Sequence, residues 1–378
     1  MPGRFEEFAR LLAGGAGAVY PGAVAGCWRG HDELHLGAVG ATAYAGHGVQ
    51  VAGVGPDTVF DVASLTKPLA TVPVLLSLAG EGRLDLDAPI GGPLAVFRGT
   101  PFATVTPIRL MAHVSGLPAW RPFASDLVAS RGEVVAGTGE AREAVLRRIA
   151  AEAPEAPAGT ACTYSDLGYI VLATLAEAAG QAPLDRLFAD RVAAPLGLRR
   201  TFFVRVRAGA IVSRPVPPGE FAATEVCPTR RRCLQGEVHD DNAWVLGGVA
   251  GHAGLFSTAR EVAEIALAFL DSSRDEGFLP RDLVRRAWSR EVTPPGATRL
   301  PGFDTPSPSG SMAGDRAPSG TVGHLGFTGT SFWMDPASAA LVVLLSNRVH
   351  PDRSRAGIQA LRPRLHDAAW RALGVARG

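Results

Sequence analysis

The chain reads as an α+β protein in which segments from its two ends share one antiparallel sheet, with a mostly helical lobe inserted between them. Three observations predict this. Strand-like runs lie toward both termini, at 23–29 (AVAGCWR) and 34–44, then at 324–335 (HLGFTGTSFWMD) and 341–348. Between them the apolar spacing is helical, over 107–113, 140–151, 166–179, 184–193 and 259–270. A stretch rich in Pro, Gly and Ser, 293–323, reads as a long loop before the last strands. With 378 residues, one domain of two intimate parts is expected: a sheet lobe of about 1–70 and 255–378, and a helical lobe of about 71–254. The cleft between the two is where a site belongs.

The remaining elements follow in chain order. Residues Phe5, Phe8, Leu11 and Leu12 fall on one face of an N-terminal amphipathic helix. A His31–Asp32–Glu33 turn separates the first two strands. From Ser64 to about Gly80 the run SLTKPLATVPVLLSLAG reads as a largely buried helix, with Pro68 tolerated in its first turn. A last amphipathic helix covers about 357–373. No internal repeat is present.

Composition narrows the function classes. Hydrophobic residues at 47% and charged residues at 19% describe a folded globular chain. Net charge is +1, with no basic face, so nucleic acid is not an expected partner. No basic segment followed by an apolar run opens the chain, which points to a cytoplasmic location, and no uninterrupted apolar stretch of ~18 residues suggests a membrane span. Cys27, Cys162, Cys227 and Cys233 lack zinc-site spacing. Cys227 and Cys233 flank an Arg-rich turn and read as two loop thiols, with a disulfide as the other reading.

One count stands out. Lys and Arg total 37, yet Lys67 is the only lysine. Arg replaces Lys freely wherever a charge is merely solvated, but Arg does not give up its proton. A sole surviving lysine is therefore a candidate for chemistry.

Three motifs carry that chemistry. In Ser64-Leu65-Thr66-Lys67 a helical start puts Oγ and Nζ on one face, and the Ser64 N–H is an unpaired donor of the first turn where an oxyanion would form. Ser64 would be the nucleophile and Lys67, once neutral, its base. The same serine also reads as a helix cap. Tyr164-Ser165-Asp166 opens a helix, so Tyr164 can relay a proton if its hydroxyl comes near; a tyrosine at a helix start with an acidic first turn is the plainer reading. His324-Leu325-Gly326, followed by Phe327, starts a strand whose small residues allow substrate to lie alongside, with the Phe327 N–H as a second oxyanion donor.

The order and spacing of these three motifs resemble the superfamily of class C β-lactamases, D-alanyl-D-alanine carboxypeptidases and serine esterases, whose motifs are S-x-x-K, Y-x-N and K-T-G or H-x-G. Supporting stretches are TVFDVASLTKPLAT, TPIRLMAHVSGLP, YSDLGYIVLATLAE and GFTGTSFWMDP, so the resemblance spans about residues 20–350. It implies the β-lactamase/transpeptidase-like fold, a serine hydrolase working through an acyl-enzyme, and no cofactor. It also implies Ser64 as nucleophile, Lys67 as base, Tyr164 as proton relay, and a substrate-facing strand shaped by His324 and Gly326. The substrate would be a small ester, amide or peptide. A non-catalytic domain binding a peptidoglycan-type ligand is the alternative.

Two positions depart from the pattern. Asp166 stands where the family has Asn; a carboxylate only accepts, so it either binds a substrate amide differently or holds Lys67 charged. His324 replaces a permanent cation with a partly charged one, which favours neutral esters or amides, or a peptide held by other groups. A fourth stretch, QGEVHDDNAWVLGGVAGHAGLFSTA, resembles one subgroup of these hydrolases. Its His239, Asp240, Asp241 and His252 lack a metalloenzyme spacing and read as structural, with His239 or Asp240 lining the cleft and Ser257 near the N-cap of the next helix.

Overall fold

A computed structural model describes residues 3–212 and 214–375. Seven antiparallel strands form the main sheet, in the order Arg299–Leu300, Phe303–Asp304, Val322–Leu325, Ser331–Asp335, Ala340–Ser346, Gly22–Arg29, Asp32–Gly40. The two ends of the chain meet where Ala23 pairs with Ser346 and Arg29 with Ala340.

Strand alternation divides the core in two, because successive side chains point to opposite faces. Val24 and Trp28, with Leu341, Val343 and Leu345, face the helical middle of the chain. Ala23, Ala25 and Cys27, with Val342 and Leu344, face the other way. There they are covered by the helices Glu6–Gly15 and Ile358–Leu373 through Phe8, Leu12, Leu365 and Trp370. Both central strands are thus apolar at almost every position, as a sheet covered on both faces requires.

Several elements differ from the sequence reading. Residues 324–335 form a hairpin and not one strand: the chain turns at Gly326–Thr330, where the Gly326 N–H donates to the Thr330 carbonyl at 2.7 Å. The presumed loop 293–323 contributes the two-residue strands Arg299–Leu300 and Phe303–Asp304, which extend the sheet at its edge. The first turn falls at Gly30–His31, and the second strand ends at Gly40 rather than continuing to 44. Thr258, not Ser257, caps the helix Ala259–Arg274, accepting from the Glu261 N–H at 3.3 Å. The helical run 63–80 is long and apolar enough to pass for a membrane span by composition alone; here its surface is mostly buried in the core. All four cysteines are free.

Candidate active site

Ser64 sits at a sharp entry to that run. Ala63, just before it, has φ 49°, a left-handed conformation that costs a residue with a side chain about 1–3 kcal/mol. The surroundings hold it there. Asp61 Oδ1 accepts the Ala63 N–H at 2.8 Å, and the Thr66 hydroxyl donates to the Ala63 carbonyl at 2.6 Å. Across the cleft, Thr328 and Thr330 donate to the carbonyls of Asp61 and Val62 at 2.7 and 3.0 Å, which ties the Ser64 segment to the 326–330 turn. The run then passes from a 3₁₀ turn, Ala63–Leu65, into a π-helical segment, Lys67–Thr71, and into the α-helix Val72–Gly80. Wide π turns recur at functional sites because they re-aim side chains.

The three motifs converge on one nitrogen. Lys67 Nζ lies 3.1 Å from Ser64 Oγ, 2.6 Å from Tyr164 Oη, 2.7 Å from Asp166 Oδ1 and 3.2 Å from the His252 carbonyl oxygen. Burial works to lower the Lys67 pKa, but the Asp166 carboxylate and the Tyr164 oxygen outweigh it, and the pKa sits above the ordinary lysine value. Lys67 is therefore an ammonium at rest. Burial raises the Tyr164 pKa despite the nearby ammonium, so the phenol keeps its proton.

Local sequence explains how Tyr164 and Asp166 arrive there. Ser165 is the N-cap of the helix Asp166–Gly180; its hydroxyl accepts from the Gly168 N–H and donates to the Pro118 carbonyl. The Ser165 N–H donates to His113 Nδ1 at 2.9 Å. His113 follows Pro107–Met111 at φ 60° and packs its ring 4.6 Å from that of Tyr164. Burial keeps its pKa well below the ordinary value, so it is neutral and can accept that bond. The His252 carbonyl comes from the loop GGVAGHAG. It approaches this closely because Gly251 has no side chain: a Cβ there would lie 2.1 Å from the Tyr169 carbonyl oxygen.

The third motif forms the opposite wall. Gly326 leaves room for the Thr330 hydroxyl, since a Cβ would stand 1.9 Å from it and 2.6 Å from the Val62 carbonyl. The Phe327 N–H has no acceptor among the described residues, and Phe327 lines the cavities on both sides of Ser64. His324 differs from expectation. Burial lowers its pKa to about 4, and Nδ1 bonds to the Leu325 carbonyl at 2.8 Å, so the ring is neutral and does not replace the missing cation even in part.

Two cavities meet at Ser64. One, of about 210 Å³, is lined by Trp120, His239, Asp240, Asp241, Asn242 and Phe327, among others. Trp120 and Phe327 form its exposed lips, 49% and 50% accessible. His239 lies here as expected from sequence, its ring stacked 5.6 Å from Phe327 and its Nε2 2.9 Å from Glu225 Oε2. Asp240 and Asp241 are engaged by His252 and Arg230 at 3.0 and 2.9 Å. Among the described residues no group of three or more His, Cys, Asp or Glu side chains is placed to hold a metal. Asp166 lines neither cavity; its carboxylate is turned to Lys67.

The second cavity, of about 350 Å³, is lined by Tyr164, His324, Gly326 and three arginines that sequence reasoning missed: Arg299, Arg348 and Arg362. Arg299 pairs with Asp304 and covers the Tyr164 ring, its guanidinium carbon 4.4 Å from the ring centre. Arg348 donates to the carbonyls of Phe327, Arg353 and Arg355 and forms no ion pair among the described residues, although the Glu225 carboxylate acts on its charge. Arg362 is 5% exposed and, among the described residues, donates only to the Thr330 carbonyl at 3.2 Å and leaves Nε unpartnered. Two buried guanidiniums that form no ion pair among the described residues make this cavity attractive to anions.

The sequence model of the Beta-lactamase family matches residues 8–363. A relative from Salmonella agona (strain SL483), named "Putative D-alanyl-D-alanine carboxypeptidase", is 30% identical over 318 residues, covering 78% of this chain and 70% of its own. Two solved structures share the fold. EstCE1, described as "a hydrolase with promiscuous acyltransferase activity", has a TM-score of 0.71 and 19% identity over 97% of this chain and 98% of its own. The octameric penicillin-binding protein homologue from Pyrococcus abyssi has a TM-score of 0.68 and 18% identity over 95% and 75%.

Proposed function

Since the chain belongs to the Beta-lactamase family, we propose that it is a serine hydrolase that forms an acyl-enzyme at Ser64 and acts on esters or amides whose leaving group bears a carboxylate. The observation that carries the chemistry is the 3.1 Å contact between Ser64 Oγ and Lys67 Nζ at the junction of two open cavities. Ser64 attacks the carbonyl, Lys67 and Tyr164 manage its proton, and the Ser64 and Phe327 N–H groups receive the oxyanion. The acyl part occupies the cavity lipped by Trp120 and Phe327. The leaving group occupies the other, where Arg348 and Arg362 hold its carboxylate in the role that His324, being neutral, does not fill. A peptide with a free C-terminus, cleaved at its last bond, meets these requirements.

The test is hydrolysis of p-nitrophenyl acetate by wild type and by Ser64→Ala, followed by mass spectrometry of quenched enzyme. Loss of turnover in the variant, with an acetyl adduct on wild-type Ser64, is the expected result. Equal turnover by both proteins would end the nucleophile assignment.

A further inference from the structure

We infer that the Asp166 carboxylate is where the Ser64 proton comes to rest during acylation, Lys67 handing one of its own protons to Asp166 as it takes the proton of Ser64. This rests on the reading of Ser64 as nucleophile and concerns how that nucleophile is activated.

The contacts around Lys67 carry the argument. An ammonium has three hydrogens and no lone pair. Two of its four neighbours, Asp166 Oδ1 at 2.7 Å and the His252 carbonyl at 3.2 Å, can only accept. The third hydrogen is shared between Tyr164 Oη at 2.6 Å and Ser64 Oγ at 3.1 Å. So bound, Lys67 cannot take a proton from Ser64 without releasing one, and the carboxylate at 2.7 Å is the basic atom in position to receive it.

The other titratable groups around the pair do not offer that route. Tyr164 holds its proton, and its ring is faced by Arg299, whose positive charge is matched by Asp304. Tyr169 lies below Lys67, with its hydroxyl donating to the Met111 carbonyl. His113 uses Nδ1 to accept from Ser165, and His324 directs Nδ1 at the Leu325 carbonyl. The His252 ring is committed to Asp240.

The step balances. The Ser64 O–H bond breaks as the Oγ–acyl carbon bond forms, and the carbonyl electron pair moves to the oxyanion. Lys67 gains the serine proton and loses one to Asp166, remaining an ammonium throughout. On collapse the bond to the leaving group breaks, and that group takes a proton from Lys67. Lys67 recovers one from the Asp166 carboxyl group, which ends as a carboxylate. An asparagine at this position offers a hydrogen-bond acceptor but no base, so Lys67 must first lose a proton to solvent.

Acylation by p-nitrophenyl acetate, measured by stopped flow from pH 4 to 10 on wild type, Asp166→Asn, Asp166→Glu and Ser64→Ala, decides the matter. For wild type, a rate constant that has levelled off by pH 7, above an acidic limb, is expected. Asp166→Asn should fall about 100-fold at pH 6, the usual scale for losing a proton acceptor, and its rate should climb with pH into the alkaline range. Asp166→Glu should keep the acidic limb. A wild-type rate that rises only above pH 8, or an Asn variant as fast as wild type at pH 6 with an unmoved limb, overturns the relay. The wild-type profile decides alone should the Asn variant fail to fold. Acylation persisting in Ser64→Ala is a different failure, that of the nucleophile assignment, and removes the relay with it.

Discussion

Arg362 should cost the fold stability and return it as substrate selection, and Arg362→Met separates the two effects. Burial lowers the Arg362 pKa from 12.5 to about 10, which at 1.36 kcal/mol per pH unit corresponds to about 3 kcal/mol against keeping the charge inside. For a base with a lowered folded pKa, that penalty is fully present below pH 10 and relieved only as pH rises from there toward 12.5. At pH 7 it acts in full. Methionine has similar length and no charge; it forfeits the bond to the Thr330 carbonyl, a charged hydrogen bond worth about 1.5–3 kcal/mol. Urea unfolding at pH 7 should therefore show the variant at least as stable as wild type, by about 0–2 kcal/mol. Catalysis should move the opposite way, and selectively. A charged hydrogen bond to a substrate carboxylate is worth about 1.5–3 kcal/mol, so kcat/KM for 3-carboxyphenyl acetate should drop about 10- to 150-fold while that for phenyl acetate stays level. A destabilised variant, or equal losses on both esters, would refute the assignment of this guanidinium to an anionic leaving group.

Two further predictions concern the frame of the site. His324 and His366 are buried and neutral, with pKa values lowered to about 4 and about 3; such groups lend full stability above the unfolded value of about 6.5 and lose it as pH falls toward the folded one. Together they should remove about 3 kcal/mol per pH unit between pH 6 and 4, visible in urea midpoints, with a shallower slope in His366→Gln; a flat profile would contradict their neutral burial. Gly326→Ala places a methyl within 1.9 Å of the Thr330 hydroxyl, and the overpacking should cost about 1–3 kcal/mol along with most of the proposed ester hydrolysis; a variant as stable and active as wild type would show that the turn gives way cheaply.

That Ser64, Lys67, Tyr164 and Asp166 come together was legible because their placement is local. S-x-x-K needs only a helical turn to bring Ser64 to Lys67, and Ser165 as an N-cap fixes where Tyr164 and Asp166 point. The anion-holding cavity was not legible. Arg299, Arg348 and Arg362 come from three separate elements, and in a chain with one lysine nothing sets one arginine apart from the other 35. What distinguishes Arg362 is the partner it lacks, which only a packed structure reveals. The 324–335 hairpin was read as one strand because its turn, Gly326–Thr330, carries no Asn, Asp or Pro to break the pattern. The edge strands near 299 and 304 are two residues long, too short to show alternation. His324 was expected to carry part of a charge, an expectation that ignored the burial now seen to suppress it.

The single lysine also makes the protein an unusually clean spectroscopic sample. Feeding lysine labelled with ¹⁵N at its side-chain nitrogen would place one isotope in the whole molecule, at the atom touching Ser64, Tyr164 and Asp166. One resonance could then be followed through titration, acylation and inhibitor binding, with no crowded spectrum to assign. Because that amine is buried and every other side-chain cation is a guanidinium, amine-directed dyes and coupling resins would find no lysine on the surface to attack.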